Sequence, residues 1–409
     1  MSDTIQTEAL IVGGGMVGLS LGLALARAGI QAAVIDREAP AAREAEPFDG
    51  RSSAIAQASQ RILAGIGVWA AMAAEAQPIL DIRVSDGRVG KPAAPLFLHF
   101  DHRAVGEPFG SIVENRIIRA ALGRAVEACP NLTHLSPAEL EEAHRRPNGV
   151  AARLADGRRV EAQLLVAADG RESRLRTEAA IPVLRWSYPQ VGIVATVAHE
   201  RPHAGVAHEH FLPSGPFAML PMTGNRSSIV WTERADLARA LLALAPQEFA
   251  TEIERRFGPS LGRIELLGRR WSYPLAFVHA SRYADRRLAL VGDAAHAIHP
   301  IAGQGLNLGL RDVAALAEAV VDAARLGLNP GGPEALTRYQ SWRRFDSLAV
   351  AAVTDGLNRL FSNDLATVRL ARDLGLAAVD RMPGLKRFFM RTAMGSAGEL
   401  PRLAKGEAL

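Results

Sequence analysis

Short apolar runs separated by glycine-rich turns open the chain. Residues 8–12 (Glu-Ala-Leu-Ile-Val) and 32–36 (Ala-Ala-Val-Ile-Asp) have the apolar pattern of buried strands. Between them, a glycine run at 13–15 precedes an alanine- and leucine-rich stretch, 16–28, which predicts a helix that closes at Gly29. A strand, a glycine turn, a helix and a second strand within ~30 residues predict a parallel βαβ unit.

The same apolar patterns recur further along the chain. Residues 164–168 and 288–291 predict two more buried strands, and residues 112–128 and 305–325 predict helices. Between about 183 and 285, β-branched, proline and turn residues dominate. That texture predicts a second lobe that is rich in sheet.

The carboxyl end of the chain is predicted to be helical. Pro333 has the position of a helix-start proline, and the helix is expected to run from Glu334 to about Phe361. The last segment, 364–395, predicts another helix with a break at Pro383-Gly384.

Composition narrows the class of protein. The 409 residues are 48% hydrophobic and 22% charged, which is typical of a folded globular protein. The single cysteine, Cys129, excludes an intramolecular disulfide and a cysteine zinc site. The polar start of the chain is unlike a signal peptide, and no apolar stretch is long enough to predict a membrane-spanning helix. A net charge of +4 without any nucleic-acid-binding motif predicts no nucleic-acid partner.

The first motif is the glycine turn. Residues 13–18 read Gly-Gly-Gly-Met-Val-Gly, in which Gly13, Gly15 and Gly18 match the G-x-G-x-x-G pattern. Asp36 ends the second predicted strand, where a carboxylate accepts hydrogen bonds from a ribose. In the context of strand, helix, strand and terminal acid, this pattern predicts a dinucleotide site with the phosphates at the helix N-terminus.

Two further strand ends carry an acid beside a glycine. Residues 167–176 read Ala-Ala-Asp-Gly-Arg-Glu-Ser-Arg-Leu-Arg, a pattern that by itself is also that of an ordinary turn. Residues 290–296 read Leu-Val-Gly-Asp-Ala-Ala-His, and residues 299–307 (His-Pro-Ile-Ala-Gly-Gln-Gly-Leu-Asn) lead into a helix from near Gly305. This helix is expected to present its N-terminal amides to a ligand.

Together, the three motifs resemble those of the class A FAD-dependent aromatic hydroxylases, the fold group of para-hydroxybenzoate hydroxylase. Their order matches, and the resemblance covers nearly the whole chain. Within the group, the chain is most similar to the ubiquinone-biosynthesis hydroxylase family. The stretches that carry this narrower resemblance are 49–54 (Asp-Gly-Arg-Ser-Ser-Ala), 113–115 (Val-Glu-Asn), 211–221 (Phe-Leu-Pro-Ser-Gly-Pro-Phe-Ala-Met-Leu-Pro), 299–312, 354–361 and 394–401.

The resemblance implies an α/β fold with a Rossmann-like FAD-binding domain, an inserted sheet-rich substrate domain and a C-terminal helical region. The expected boundaries are 1–75, 103–182 and 285–330 for the FAD-binding domain, 76–102 and 183–284 for the substrate domain, and 331–409 for the helical region.

The resemblance also implies which residues hold the cofactor: Gly13, Gly15, Gly18, Asp36, Arg51, Asn115, Asp169, Asp293, Gly303, Gln304, Gly305, Leu306 and Asn307. Asp293 is expected to bond the ribityl chain, and residues 303–307 to lie along the isoalloxazine. No catalytic acid or base is assigned. The flavin-facing candidates are Arg51, Pro300, Gly303 and Gln304, and the alternative for Arg51 is an ordinary surface arginine.

The implied reaction is hydroxylation of the aromatic ring of a polyprenylated phenol in ubiquinone biosynthesis, through a C4a-hydroperoxyflavin. FAD is the implied cofactor, dioxygen the co-substrate, and NAD(P)H or a protein electron donor the reductant. Water must be excluded from such a site. Two alternatives remain: an FAD-dependent reductase or dehydrogenase of the same fold group, and a non-catalytic prenyl-binding carrier.

The histidines do not predict a metal site. His208 and His210 share one face of a predicted strand, but a third ligand at suitable spacing is missing, so packing histidines are favoured. His296 and His299 lie within the third motif and are expected to position its loop rather than act as bases.

The tail suggests contact with a membrane. Residues 381–394 hold four basic residues and no acid, with adjacent phenylalanines and nearby methionines. Such a segment suits the interface of an anionic bilayer, and a helix that packs on the flavin domain is the equal alternative. The expected location is the cytoplasm, with peripheral association with the inner membrane directly or through a quinone-biosynthesis protein complex.

Overall fold

The computed structural model describes residues 4–39, 48–91, 97–299, 303–362, 372, 375 and 378–409. In chain order, the β-strands of the described residues are β1 Thr4–Gln6, β2 Ala9–Val12, β3 Ala32–Ile35, β4 Ser52–Ala56, β5 Gln77–Ile79, β6 Asp81–Asp86, β7 Phe97–Asp101, β8 Gly110–Glu114, β9 Leu132–Leu135, β10 Leu140–Arg146, β11 Gly149–Leu154, β12 Arg159–Ala162, β13 Leu164–Ala167, β14 Val183–His199, β15 Val206–Leu212, β16 Gly215–Met222, β17 Arg226–Arg234, β18 Ile264–Ala280, β19 Ala284–Asp285, β20 Leu288–Leu290 and β21 His296–Ala297.

The α-helices of the same residues are α1 Met16–Arg27, α2 Gln57–Gly65, α3 Asn115–Glu127, α4 Arg174–Glu178, α5 Ala235–Ala243, α6 Pro246–Phe257, α7 Gln304–Arg325, α8 Pro333–Phe361, α9 Pro383–Ala393 and α10 Arg402–Lys405.

A six-stranded sheet holds the predicted βαβ unit. Its strand order is β19-β20-β13-β2-β3-β9, and every pair from β20 to β9 is parallel. The short apolar strands are buried on both faces, as their uninterrupted apolar runs predict. Because the strands are parallel, the carboxyl ends of β2, β3, β13 and β20 lie at one edge, where open α/β sheets bind their ligands.

Helices cover this sheet. Residues Gly18 to Ala26 of α1 are buried, and so is most of α7. Gly22 allows α1 to approach closely, because a Cβ there would lie 2.8 Å from Val34 and 2.9 Å from Leu132. Tyr339 of α8 is fully buried and donates a hydrogen bond to Leu290 O at 2.6 Å, so the C-terminal region is joined to the sheet.

The helix expected over 112–128 begins later than predicted. Residues 112–114 belong to β8, which pairs antiparallel with β4 and β5, and α3 begins at Asn115. Strand pairing therefore overrides the helical pattern in these residues, because β8 is buried throughout and its backbone is paired on both sides.

An eight-stranded sheet forms the predicted sheet-rich lobe. Its order is β21-β18-β14-β17-β16-β15-β6-β7, and the long strands β14 and β18 pair antiparallel. One face, which we call the outer face, packs against α5 and α6 through an apolar cluster that contains Trp231 and Phe249. The opposite face, the inner face, turns towards the segment that precedes β4, where Thr196 Oγ1 donates a hydrogen bond to Gly50 O at 2.9 Å. The predicted α/β class is confirmed.

Candidate functional site

The glycine turn is shaped by close contacts on one side and open space on the other. Gly13 has φ +107°, and a Cβ on it would lie 2.3 Å from Ala168 O. A Cβ on Gly18 would lie 1.9 Å from Gly13 O, whereas a Cβ on Gly15 would meet nothing within 4 Å. Gly15 caps α1 without a side-chain hydrogen bond. The helix therefore presents free amides and a positive dipole end to an open space, as an anion site requires.

Asp36 lies beside this turn at the end of β3. The side chain is buried; its Oδ2 accepts a hydrogen bond from Gly14 N, and its Oδ1 accepts one from Glu38 N at 2.8 Å. A cleft of about 310 Å³ opens next to it, and Gly15 and Arg119 are among the residues that line it. Asp36 thus holds the turn in place at the edge of a cleft.

Asp169 begins the second motif at the end of β13. Its Oδ2 accepts from Leu175 N at 3.3 Å, but its Oδ1 is buried and has no hydrogen-bond partner among the described residues. Arg176 of the same motif is buried and donates to Ala294 O at 2.9 Å. The second motif therefore bonds directly to the third through Arg176, and Asp169 Oδ1 is available to a ligand.

The third motif follows β20. Gly292 has φ +58°, and the side chain of Asp293, next in the chain, is exposed. Gly303 has φ +62° and precedes α7 without a side-chain cap, and a Cβ on Gly305 would meet nothing within 4 Å. The start of α7 is thus a second helix N-terminus with open space beside its backbone. Pro300 lies outside the described residues.

Contacts join the three motifs into one site. A Cβ on Gly292 would lie 3.3 Å from Val17, and one on Gly309 would lie 2.6 Å from the same side chain. The N-terminal parts of α1 and α7 therefore meet across the carboxyl edge of the sheet, where an extended ligand would contact both.

The side chain of Asn307 makes contacts within the protein. Its side chain donates to Ala54 O at 2.9 Å and Gly303 O at 3.0 Å, and it accepts from Ala56 N at 2.9 Å. This amide therefore fastens the start of α7 to β4. Contact with a flavin at this position would come from its backbone, and the direct contact stays a prediction.

Arg51 and Asn115 are brought together by the pairing of β4 with β8. Asn115 N donates to Arg51 O at 3.0 Å, and Asn115 Oδ1 accepts from Ser53 Oγ at 2.7 Å. The Arg51 guanidinium forms a 2.7 Å ion pair with Asp49 and lies 4.6 Å from the centre of the Trp271 ring. It is thus held at the boundary of the two sheets rather than loose on the surface, and its role towards a flavin stays a prediction.

Sequence reasoning missed a buried charged network behind the third motif. Asp312 of α7 pairs with His296 at 2.6 Å and with Arg343 at 2.8 Å, and it accepts from Gly292 N at 3.0 Å. Although burial opposes ionisation, His296 and Arg343 hold the pKa of Asp312 below its ordinary value. A motif search does not find Arg343, because it lies in another helix far along the chain.

The two histidines of the third motif differ in their surroundings. His296 is engaged by Asp312, as a loop-positioning residue would be. His299 is buried with both ring nitrogens unpartnered in the described part of the chain, and burial lowers its pKa to about 4. Its ring meets Tyr188 edge-on at 5.3 Å, and Tyr188 donates to Asp355 at 2.6 Å.

His208 and His210 lie on the outer face, as their spacing predicts. Their rings stack at 5.9 Å, and His210 Nδ1 is 2.7 Å from Ser85 Oγ. Elsewhere in the described residues, Asp81, Asp101 and His102 form a group with metal-ligand spacing, but Asp101 is paired with Arg103 and His102 Nδ1 with Leu80 O. Neither group points to a metal.

Comparison with known proteins agrees with this geometry. The family described as FAD binding domain matches residues 6–352. The ubiquinone hydroxylase UbiL of Rhodospirillum rubrum is 54% identical over 405 residues, which cover 98% of this chain and 93% of that protein. The 3-demethoxyubiquinol 3-hydroxylase of Escherichia coli is 37% identical and covers 95% of this chain and 98% of its own length.

A solved structure has the same fold. The p-nitrophenol 4-monooxygenase of Pseudomonas putida superimposes with a TM-score of 0.81 at 18% identity, over 97% of this chain and 100% of that chain. Identity at this level speaks for the fold alone.

Proposed function

The chain belongs to the FAD-binding family of ubiquinone-biosynthesis hydroxylases, and from that premise we propose that it hydroxylates the aromatic ring of a polyprenylated phenol. The observation that carries this proposal is the identity of 54% with a ubiquinone hydroxylase along 98% of the chain, with all three motifs gathered at one sheet edge. The chain is an FAD-dependent monooxygenase.

The residues at the sheet edge fit FAD. The open space at Gly15 and Gly305 gives room for phosphate and ring against two helix N-termini. Asp169 Oδ1, which has no hydrogen-bond partner among the described residues, and the exposed Asp293 carboxylate offer acceptors for the hydroxyls that lie between these ends. FAD, when bound, supplies electron transfer and activation of dioxygen. The purified protein is therefore expected to be yellow, with FAD that denaturation releases.

The chain itself would exclude water and hold the substrate. The rings of Trp186 and Phe277 stack at 3.9 Å, and those of Phe211 and Phe361 stack at 4.1 Å, the second pair joining the sheet to α8. Aromatic pairs suit contact with an apolar phenol that carries a prenyl tail, and we expect apolar side chains of this kind to keep water from the reacting ring.

The experiment that tests this function follows oxygen into product. The FAD-loaded enzyme, a reductant and 2-prenylphenol under ¹⁸O₂ are expected to give a catechol or hydroquinone with one labelled oxygen. A prenyl-chain reductase or dehydrogenase would instead change the substrate by hydrogen without label, and a carrier would leave it unchanged. Expression in strains that lack individual ring hydroxylases, with quinone intermediates measured by mass spectrometry, would identify the ring position.

We also propose that the enzyme meets its lipid-like substrate at the membrane surface. No helix of the described residues is long and apolar enough to cross a bilayer. The α9 helix has Met390 buried and Phe389 partly buried in a cluster with the inner face, while Leu385, Phe388 and Arg387 lie on its exposed side. One side of α9 therefore packs on the protein, and the other side is available for contact with a membrane.

The α8 helix also carries exposed apolar side chains. Phe345 is 78% exposed, and Leu348, Val353 and Leu360 are exposed with it. Exposed apolar side chains next to basic ones are the pattern of an interfacial segment. If a quinone-biosynthesis protein complex covers these side chains of α8, the enzyme would contact the membrane through that complex.

Vesicle flotation tests this proposal. Arg387→Glu with Phe388→Glu should abolish flotation with anionic vesicles at low salt, whereas Arg158→Glu, in an exposed turn remote in sequence, should not. Flotation of the double variant equal to that of the wild type would exclude α9 as the contact.

A further inference from the structure

The inner face of the eight-stranded sheet carries an acidic side chain that the cofactor site does not use. Glu209 lies in β15 with Val84 of β6 and Ala218 of β16 as its register partners. Val230 of β17 continues this row across the sheet. Side chains directly opposite one another share a face, so the Glu209 carboxyl stands among apolar neighbours.

The neighbours of Glu209 along its own strand place it opposite the cofactor-binding unit. Ala207 belongs to an apolar cluster that includes Ala54, and a Cβ on Gly303 would lie 2.9 Å from Ala54. Phe211, two residues in the other direction, stacks on Phe361 of α8. Glu209 therefore lies between the cluster that borders the start of α7 and the aromatic contact with the C-terminal helices.

The described part of the chain contains no hydrogen-bond donor or cation that pairs with the acid at this position. Within the described residues, the Glu209 carboxyl forms no hydrogen bond or ion pair, and the side chain keeps partial access to solvent. Burial raises its pKa to about 8. A carboxyl that is partly removed from water and has no partner lowers the stability of the fold, and its remaining access to solvent leaves it open to a ligand. A ligand that supplies the partner accounts for its presence.

Two hydroxyls on the same face share this property. Ser228 and Thr232 flank Val230 on β17, and their oxygens are buried without a hydrogen-bond partner among the described residues. Three polar side chains that have no partner in the described part of the chain thus occur on one face of one sheet, the face that turns towards the flavin-binding unit.

We propose that Glu209 hydrogen-bonds the phenolic hydroxyl of the substrate and accepts its proton during hydroxylation. This inference rests on the proposed function. As the O–H bond breaks, the proton passes to the carboxylate and the electron pair moves into the ring. A ring carbon then forms its new bond to one oxygen atom of dioxygen as the O–O bond breaks, and the other oxygen atom becomes water with two electrons from the reductant and two protons from the reductant and solvent. The Glu209 carboxyl afterwards returns its proton to the product. The hydrogen of the hydroxylated carbon leaves as a proton when the ring becomes aromatic again.

The charged groups on the elements that face Glu209 are themselves paired. Asp86 and Arg372, beside Phe211, form an ion pair of 2.9 Å, and Asp355 and Arg359 of α8 form one of 2.8 Å. The arginines of α9 lie on its exposed side. Acceptance of the proton is therefore governed by the Glu209 carboxyl, whose acceptor form increases as pH rises through about 8.

A pH profile distinguishes a catalytic base from a side chain that only fills space. In Glu209→Gln the size is kept and the proton acceptor is lost; Glu265→Gln, exposed on β18, is the matched control. In the wild type and the control, kcat/KM for 2-prenylphenol is expected to rise with pH through about 8. In Glu209→Gln the rise should vanish, with kcat/KM lower by about 100-fold at alkaline pH. A profile unchanged in Glu209→Gln would overturn the proposal.

Binding provides a readout that is independent of turnover. By equilibrium dialysis at alkaline pH, the wild type should bind 2-prenylphenol about tenfold more tightly than prenylbenzene, which lacks the hydroxyl. Glu209→Leu should bind both equally, and should it fail to fold, the same comparison with Glu209→Ala decides, because alanine also lacks a hydrogen-bond acceptor. Retention of the full preference in the variant would contradict the proposal. A wild type that incorporates no oxygen would overturn the proposed function together with this inference, whereas an active wild type with an unaffected Glu209→Gln overturns the inference alone.

Discussion

The two faces of the eight-stranded sheet are built from alternate residues of the same strands, yet they are closed in different ways. On the outer face, Trp231 is fully buried and packs against Phe249 with 5.7 Å between ring centroids. On the inner face, Glu209, Ser228 and Thr232 lack protein partners among the described residues. The chain closes the outer face with apolar side chains, whereas the inner face combines apolar contacts with α8 and α9 with polar side chains for which we propose a ligand partner.

The largest effect is expected on the closed face. Trp231→Ala should lower the free energy of unfolding by about 3–5 kcal/mol, because it opens a cavity against α6 and removes the contact with Arg256. Val230→Ala, on the inner face of the same strand, should cost about 1 kcal/mol, since Val230 is partly accessible already. Urea unfolding of the two apoproteins measures the difference, and equal losses would contradict the distinction between the faces.

The exposed acid of the third motif should act on the cofactor and leave the fold intact. Asp293→Ala removes a charged acceptor, so FAD affinity should fall tenfold or more, or about 1.5–3 kcal/mol. Because the side chain is exposed, unfolding of the apoprotein should be unaffected. Fluorescence titration with FAD measures the affinity, with Asp156→Ala, also exposed, as the control. Unchanged affinity would exclude Asp293 from the cofactor site.

Two glycines of the turn differ in the same way: the protein packs closely around Gly18, whereas the space beside Gly15 is open. Gly18→Ala places a Cβ 1.9 Å from Gly13 O and should destabilise the apoprotein by about 1–3 kcal/mol. Gly15→Ala meets nothing within 4 Å and should leave apoprotein stability nearly unchanged while weakening FAD binding. Thermal unfolding without and with FAD distinguishes the two effects. A Gly15→Ala variant that binds FAD normally would show that the open space is not the phosphate site.

The smallest effects are expected on the pH dependence of stability. One titrating group on each face should change stability with pH, and the two changes should have opposite signs. Burial and the nearby charges of His210 and Arg83 lower the pKa of His208 to about 3, so the folded state holds it neutral. As pH falls below about 6.5, the unfolded state gains a proton that the folded state lacks, and stability is lost towards acid pH. Burial raises the pKa of Glu209 to about 8, so stability is lost as pH rises from about 4.5 to 8.

Variants should distinguish the loss of stability towards acid pH, the acid limb of the profile, from the loss towards alkaline pH, the alkaline limb. His208→Leu should flatten the acid limb of the stability profile and Glu209→Gln the alkaline limb, each by on the order of 1–2 kcal/mol. Denaturant unfolding across the pH range measures both. A variant that flattened the opposite limb would reverse the assignment of the two groups.

The sequence determined the cofactor-binding framework by itself. The glycines at 13, 15 and 18, the acids that follow three parallel strands and the long helix after Gly303 are local patterns, since each needs only its own neighbours in the chain to be recognised. The predicted strands and helices around them were confirmed with shifts of one or two residues, apart from the start of α3. The same motifs predicted the α/β fold class and the family, and both predictions were confirmed.

The tertiary structure decided which polar groups are used by the protein and which remain for a ligand. From the sequence alone, Asn307 and Gln304 are equally suited to contact a flavin, but the fold bonds the Asn307 side chain to Ala54. Likewise, His296 and His299 are equally suited to position a loop, but the fold pairs His296 with Asp312. Alternation along β15 places Glu209 opposite to its neighbouring histidines, but which side of the strand faces the flavin unit depends on residues far away in the chain. Hydrogen-bond partners are set by distances in space, and local sequence patterns do not contain those distances.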